Sequence, residues 1–340
     1  MMQWRARAPV RFCDLGGWTD TRIVPRGAVL NFTARMYTYV TLTIQEGPSA
    51  ITLESLDTEE QCSFHDIRQL EYNGVLDLLK AAVARSGIEI RRNGAFSTHR
   101  QVSLRVRSSA PPASGLGSSA ALGVAAIGAL VRYCGGHLLP HEIARESQLL
   151  EVENLKLECG VQDQLASAYG GVNFMEVEYP NARIFPVHLD ASVMCELEDR
   201  FVLVYTGKSH FSSGMHQKVI AEAEEHQSDF DALAEAAVAG KEALLAGDFA
   251  AFGAAMNNNW AAQKRLHPDI TTPEIETLHN AVFDVGALGF KANGAGGGGT
   301  VTILSDRNRA HLVGRVAQDL GMTVLPALID TTGLQVWEAR

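Results

Sequence analysis

Apolar positions along this chain switch between a period of two and a period near 3.6, and the switches outline its elements. Residues 6–12 predict a short strand that ends in a turn at Gly16 and Gly17. Residues 36–45 are dominated by β-branched and aromatic side chains, which suit a pleated surface. Val102, Leu104 and Val106 alternate with polar neighbours and predict a half-buried strand. Between these runs, Ile67, Leu70, Leu76, Leu78, Leu79 and Val83 recur at helical spacing and predict a helix within 65–86. Helices are also predicted from Ala120 to Val131 and over 140–158, with strands near 172–177 and 183–188. In the second half, Phe201–Tyr205 predicts a buried strand. Helical patterns then cover 212–246, 249–264 and 273–288, followed by a strand at 300–304, a helix near 307–320 and a strand near 322–329.

Strands and helices mix without the regular alternation of a doubly wound sheet, so the class is α+β. A length of 340 residues suggests two domains, placed at 1–190 and 191–340. A net charge of −10 excludes the basic footprint of a nucleic-acid binder and disfavours an anionic membrane surface. The apolar run Ala120–Val131 is too short to span a bilayer, and the first residues lack the apolar core of a signal peptide. Five scattered cysteines with no C-x-x-C predict reduced thiols and a cytoplasmic protein.

The chemistry concentrates in Pro111–Ala120, which leads from a strand into an apolar helix. Gly115 and Gly117 permit close backbone approach, and Ser118 and Ser119 stand at the helix start, where free N–H groups and the dipole favour an anion. The segment reads as a phosphate cradle, or else as a Ser-capped buried helix. No Lys-Ser or Lys-Thr closes it, so it is not a Walker A loop. Gly207-Lys208-Ser209 imitates the end of such a loop, but Val202 stands where the required glycine should be. Lys208 and His210 there are candidate substrate contacts.

The cradle resembles the second motif of the GHMP kinases, P-x-x-x-G-L-G-S-S-A, at every fixed position. Ala8-Pro9-Val10-Arg11 with Gly16-Gly17-Trp18-Thr19-Asp20 resembles the first motif, and Lys291–Gly299 the third. The resemblance is closest to the branch of L-fucose kinases and D-glycero-D-manno-heptose 7-phosphate kinases. It implies a ribosomal protein S5 domain 2-like N-terminal domain and a ferredoxin-like C-terminal domain. It further implies an ATP- and Mg²⁺-dependent kinase that phosphorylates the anomeric hydroxyl of a sugar or sugar phosphate, as monomer or homodimer. A kinase of another small alcohol such as mevalonate, and a non-catalytic sugar or nucleotide sensor, are the alternatives.

By the same resemblance Asp163 is the catalytic carboxylate and Arg11 its neighbour, while Ser119 and Glu151 meet at the metal. Pro111, Ser114, Gly115, Leu116, Gly117, Ser118, Ser119, Ala120, Gly296 and Gly297 would hold the nucleotide. Asp20, Trp18, Gly17, Gly171 and Tyr205 would meet the sugar. Blander roles exist for several: a turn or cap for Asp163 and Asp20, a solvated face for Glu151, core filling for Trp18. The Gly294–Gly299 run would bind phosphate or brace the first loop, and the role of Asn293 stays open, since the family often has Ser or Thr there.

Overall fold

The computed structural model describes residues 1–86, 91–92, 95–96, 100–208 and 212–339. The first half is built on a long, mostly antiparallel sheet. Its first strands are β1 (Met2–Leu15), β2 (Gly27–Glu46), β3 (Ala50–Ser55) and β4 (Glu60–Phe64). After α1 (Asp77–Arg85) and the small pair β5 (Arg91–Arg92) and β6 (Ala95–Phe96) comes β7 (Arg100–Ser108), which is parallel to β3. Three helices follow: α2 (Ser118–Tyr133), α3 (Pro140–Leu149) and α4 (Gln162–Tyr169). The strands β8 (Val172–Glu178) and β9 (Asn181–Pro186) then extend the sheet from the free half of β2.

The second half contains α5 (Ala191–Arg200), β10 (Phe201–Tyr205), α6 (Ser212–Ala221), α7 (Gln227–Leu245), α8 (Phe249–Arg265) and α9 (Pro273–Phe283). It continues through β11 (Ala287–Ala292), β12 (Thr300–Ser305), α10 (Ala310–Asp319) and β13 (Thr323–Leu325). The sheet order is β11-β12-β10-β13, all antiparallel, which is the split βαβ arrangement of a ferredoxin-like unit. The last strand, β14 (Gln335–Glu338), returns to the first sheet and pairs with β1. Residues near the C-terminus therefore complete the N-terminal sheet rather than the second unit where the linear boundary had put them.

Two buried clusters fill the molecule. The larger lies between the first sheet and α2, α3, α7 and α8, and includes Phe12, Phe32, Val124 and Phe252. The smaller packs β10–β12 against α8, α9 and α10, with Trp260, Phe290 and Leu278 inside. Among the described residues no helix is long and apolar enough to cross a membrane. All five cysteines are free thiols.

Several predicted elements are shorter or broken. Of 65–86 only Asp77–Arg85 is α-helical, because Gly74 and Leu76 take positive φ and end the preceding turn structure. The segment 212–246 is interrupted by a 3₁₀ turn at Ala223–His226. The expected helix over 273–288 stops at Phe283; Gly286 turns the chain and β11 begins. The helix expected over 140–158 changes at Leu150–Asn154 into one π turn, a wider coil that recurs at functional sites.

Candidate active site

A cavity of about 360 Å³ is lined by residues from both halves of the chain. One wall is the start of α2. Gly117 caps that helix with φ +70°, and Ser118 and Ser119 form its first turn and line the cavity. First-turn amides have no acceptor within their own helix, so this end favours an anion. The hydroxyls of Ser114 and Ser118 are buried without a partner, which leaves two polar atoms at the loop ready for a ligand. The two loop glycines serve the protein's own packing. A Cβ on Gly117 would stand 2.9 Å from Asp163 Oδ2, and one on Gly115 would stand 2.8 Å from the Asn293 carbonyl.

The third-motif residues brace this loop. The Thr300 hydroxyl donates to the Ser114 carbonyl at 2.9 Å, and a Cβ on Gly299 would collide with the same carbonyl at 2.6 Å. Asn293 is a clamp: its Oδ1 accepts from the Cys13 amide and the Thr302 hydroxyl, and its Nδ2 donates to the Thr300 hydroxyl. The packing role accounts for a residue whose purpose the sequence left open.

Asp163 sits in the first turn of α4 and faces Arg11 from β1. The guanidinium donates twice, Nε to Oδ1 at 2.7 Å and Nη2 to Oδ2 at 3.0 Å, and Nη1 donates to the Gly115 carbonyl. A bidentate pair fixes both partners more firmly than a single bond. Burial disfavours the charge on Arg11, but Asp163 and Asp14 outweigh it and hold its pKa above the usual arginine value.

Glu151 lies on the π turn and lines the same cavity as Ser119 and Asp163. Burial pushes its carboxyl up to about 7, the charge of Asp163 adds to this, and the Gln164 amide that donates to Oε1 opposes it. Glu153, two residues on, points away and pairs with Arg85 on the surface. Among the described residues no three His, Cys, Asp or Glu side chains form a metal cage. One carboxylate and one hydroxyl fit a cation that takes its other oxygens from phosphate and water, as Mg²⁺ does.

The same cavity is also lined by Trp18, Asp20, Glu158, Cys159 and His216. Trp18 adopts φ +79°, is 5% exposed, and carries a buried indole N–H with no partner. Its ring meets His216 of α6 edge-on at 4.9 Å. Burial lowers the His216 pKa, so the ring is neutral, and Nδ1 donates to the Glu158 carbonyl at 3.0 Å. Asp20 is 2% exposed. Its Oδ2 accepts the Val161 and Gln162 amides at the start of α4, at 2.9 and 3.0 Å, and Oδ1 accepts the Gln162 side chain at 3.3 Å. Burial raises Asp20 to about 6 against the pull of the Gln162 amide, with the nearby Asp163 charge adding to the rise.

Residues 76–171 match the family of GHMP kinases N terminal domains, and residues 241–321 the GHMP kinases C terminal family. The chain belongs to the GHMP kinases. It is 30% identical over 315 residues to D-glycero-alpha-D-manno-heptose 7-phosphate kinase of Campylobacter jejuni, covering 90% of this chain and 91% of that protein. It is 27% identical to the L-fucokinase/L-fucose-1-P guanylyltransferase of Bacteroides fragilis over 86% of its own length, and spans 33% of that larger protein. Its fold superimposes on a D-glycero-D-manno-heptose 1-phosphate kinase from Bacteroides thetaiotaomicron with a TM-score of 0.79, 25% identity and 99% coverage of both chains.

In this GHMP kinase the cavity gathers Arg11, Asp163, Ser119 and Glu151 with Trp18 and Asp20. Ser114, Gly115, Gly117, Ser118 and Gly296 line it as well. Other expected contacts lie off it. Leu116 and Ala120 are core residues, and the carbonyl of Leu116 accepts from the Arg11 amide. Pro111 precedes the loop, and the Gly297 amide donates to the Ile270 carbonyl. Gly17 packs on Asp14, where a Cβ would come within 2.8 Å of Oδ2. Gly171 bonds to Asp330 and Thr33, Tyr205 closes β10 against Thr300 and Thr323, and neither lines the cavity. Lys208 pairs with Glu274 on the surface, and His210 lies outside the described residues. Asp14, Glu158 and His216 also line the cavity, and no local motif in the sequence singled them out.

Proposed function

We propose that this protein is an ATP- and Mg²⁺-dependent sugar kinase, transferring the γ-phosphate to the anomeric hydroxyl of a sugar or sugar phosphate of the fucose or heptose 7-phosphate type. The observation that carries the reading is the bidentate Arg11–Asp163 pair beside the N-terminus of α2 in one cavity. The names of the relatives support the acceptor class.

The chain's residues would work mainly by position and charge, as phosphoryl transfer requires. The first turn of α2 and the free hydroxyls of Ser114 and Ser118 would receive the nucleotide phosphates. Ser119 and Glu151 would hold Mg²⁺, which when bound neutralises phosphate charge. Asp163 would orient the acceptor hydroxyl and take its proton as the new O–P bond forms and ADP leaves. Arg11 holds that carboxylate in place through its two hydrogen bonds. Trp18 and the neutral His216 would wall the sugar.

The test is a kinase screen over free hexoses, deoxyhexoses and heptose 7-phosphates, with NMR location of the new phosphate. Asp163→Asn should lose roughly 10²–10⁴-fold in turnover with nucleotide affinity nearly unchanged. Turnover confined to mevalonate would reassign the acceptor, and nucleotide binding without any turnover would make the protein a sensor.

A further inference from the structure

Asp14 and Lys291 are both completely buried, 277 residues apart in sequence, yet their charged atoms stand 3.1 Å apart. Asp14 is the second-last residue of β1, three residues after Arg11. In a regular strand that odd spacing would turn the two side chains to opposite faces. A register shift between Phe12 and Leu15, with Cys13 at φ +49°, changes the phase, and both side chains line the cavity.

Asp14 has several partners. The Gly294 amide lies 3.2 Å from each carboxylate oxygen, and Arg11 Nη2 lies 3.9 Å from Oδ2. Lys291 also donates to Gln263 Oε1 at 3.2 Å and to the Ala292 carbonyl at 2.8 Å. Burial would raise the Asp14 pKa, but Lys291 and Arg11 outweigh it and keep the carboxylate ionised. The result is a file of alternating charges, Lys291, Asp14, Arg11, Asp163, running from the third-motif strand to the carboxylate beside the phosphate loop. Stability alone is a poor reason for it, since a buried ion pair commonly adds no more than well-packed apolar residues of the same volume.

We propose that Asp14 is a positioning residue for phosphoryl transfer. It holds the Arg11 guanidinium in register with Asp163 and pins the Gly294 amide that backs the phosphate loop. Lys291 supplies the countercharge that permits a carboxylate at this depth. The inference rests on the Arg11–Asp163 pair being the reaction centre.

The experiment compares Asp14→Asn, Lys291→Gln, the double variant and Asp163→Asn in the full-length protein, by thermal melting and by steady-state kinetics with ATP and the accepted sugar. Each single variant of the pair leaves one buried charge unmatched and should melt lower than wild type. The double variant is neutral and should recover most of the melting temperature. Its kcat should nevertheless stay about 10–100-fold low with both KM values within about threefold, since a misplacement of about 1 Å can cost about 10²-fold. A double variant with wild-type kcat, or with a defect confined to KM, overturns the proposal. Should the double variant fail to fold, Asp14→Asn assayed where it is fully native decides in the same terms: low kcat with unchanged KM supports the proposal, and unchanged kcat overturns it. Near-wild-type turnover in Asp163→Asn would instead overturn the reading of the centre itself.

Discussion

Replacing Asp20 by Asn tests how a buried carboxylate is held at the start of α4. Asp20 is 2% exposed and accepts two helix amides through Oδ2. Its folded-state value is about 6 against 3.8 for the free side chain, with burial as the main cause. Two units correspond to about 3 kcal/mol. The sign follows from proton binding. Between these two values the folded protein holds the proton more tightly than the unfolded chain. The stabilisation is therefore complete below pH 3.8 and is lost as the pH rises through 6. Asparagine cannot titrate. The stability advantage of wild type over Asp20→Asn should shrink by about 2 kcal/mol between about pH 4.5 and 7.5, the portion of the full 3 that falls in that window. Urea unfolding of both proteins across this range measures it. The Asp163 charge acts on this carboxylate, Arg11, Cys159 and Tyr179 sense it, and all four are common to both proteins. A constant gap, or one that widens with pH, would refute the reasoning. It would mean that the α4 amides, not burial, govern Asp20. Because those amides place Asp163, the variant should also lose kcat, beyond any rise in sugar KM.

Ser119→Ala and Glu151→Gln should each raise the Mg²⁺ concentration needed for half-maximal rate, while Glu153→Gln should not, because Glu153 pairs outward with Arg85; Mg²⁺ titrations of initial rate decide between the two glutamates. Gly160→Ala would set a Cβ 1.8 Å from Asp20 Oδ2, so it should lower the melting temperature by several degrees and depress kcat with it, seen in parallel melting and rate measurements. Trp18→Phe removes an unpartnered buried N–H while keeping a ring against His216; ATP affinity should hold and sugar KM should move, read by separate titrations.

What the sequence by itself determined was local. Gly115, Gly117, Ser118 and Ser119 lie within five consecutive residues, and the need for positive φ and free helix amides acts over that distance, so the glycine turn and the helix start were legible. The same holds for Arg11, Asp163 and Glu151, which the resemblance assigned in register and the fold brings into one cavity. The reasons behind some of these residues were not legible. The glycines make room for Asp163 and for the Asn293 carbonyl, and Asp20 is held by the amides of a helix about 140 residues away. Tertiary structure alone decided the Asp14–Lys291 pair, the His216 wall and the return of β14 to the first sheet. Hydrophobic periodicity reports which face of an element is buried, not what lies against it. It is also blind to a bulge that reverses the facing of a strand, and such a bulge turns Asp14 to the same side as Arg11. Contacts between residues far apart in the chain arise only when whole sheets pack, and at this site those contacts set the charges.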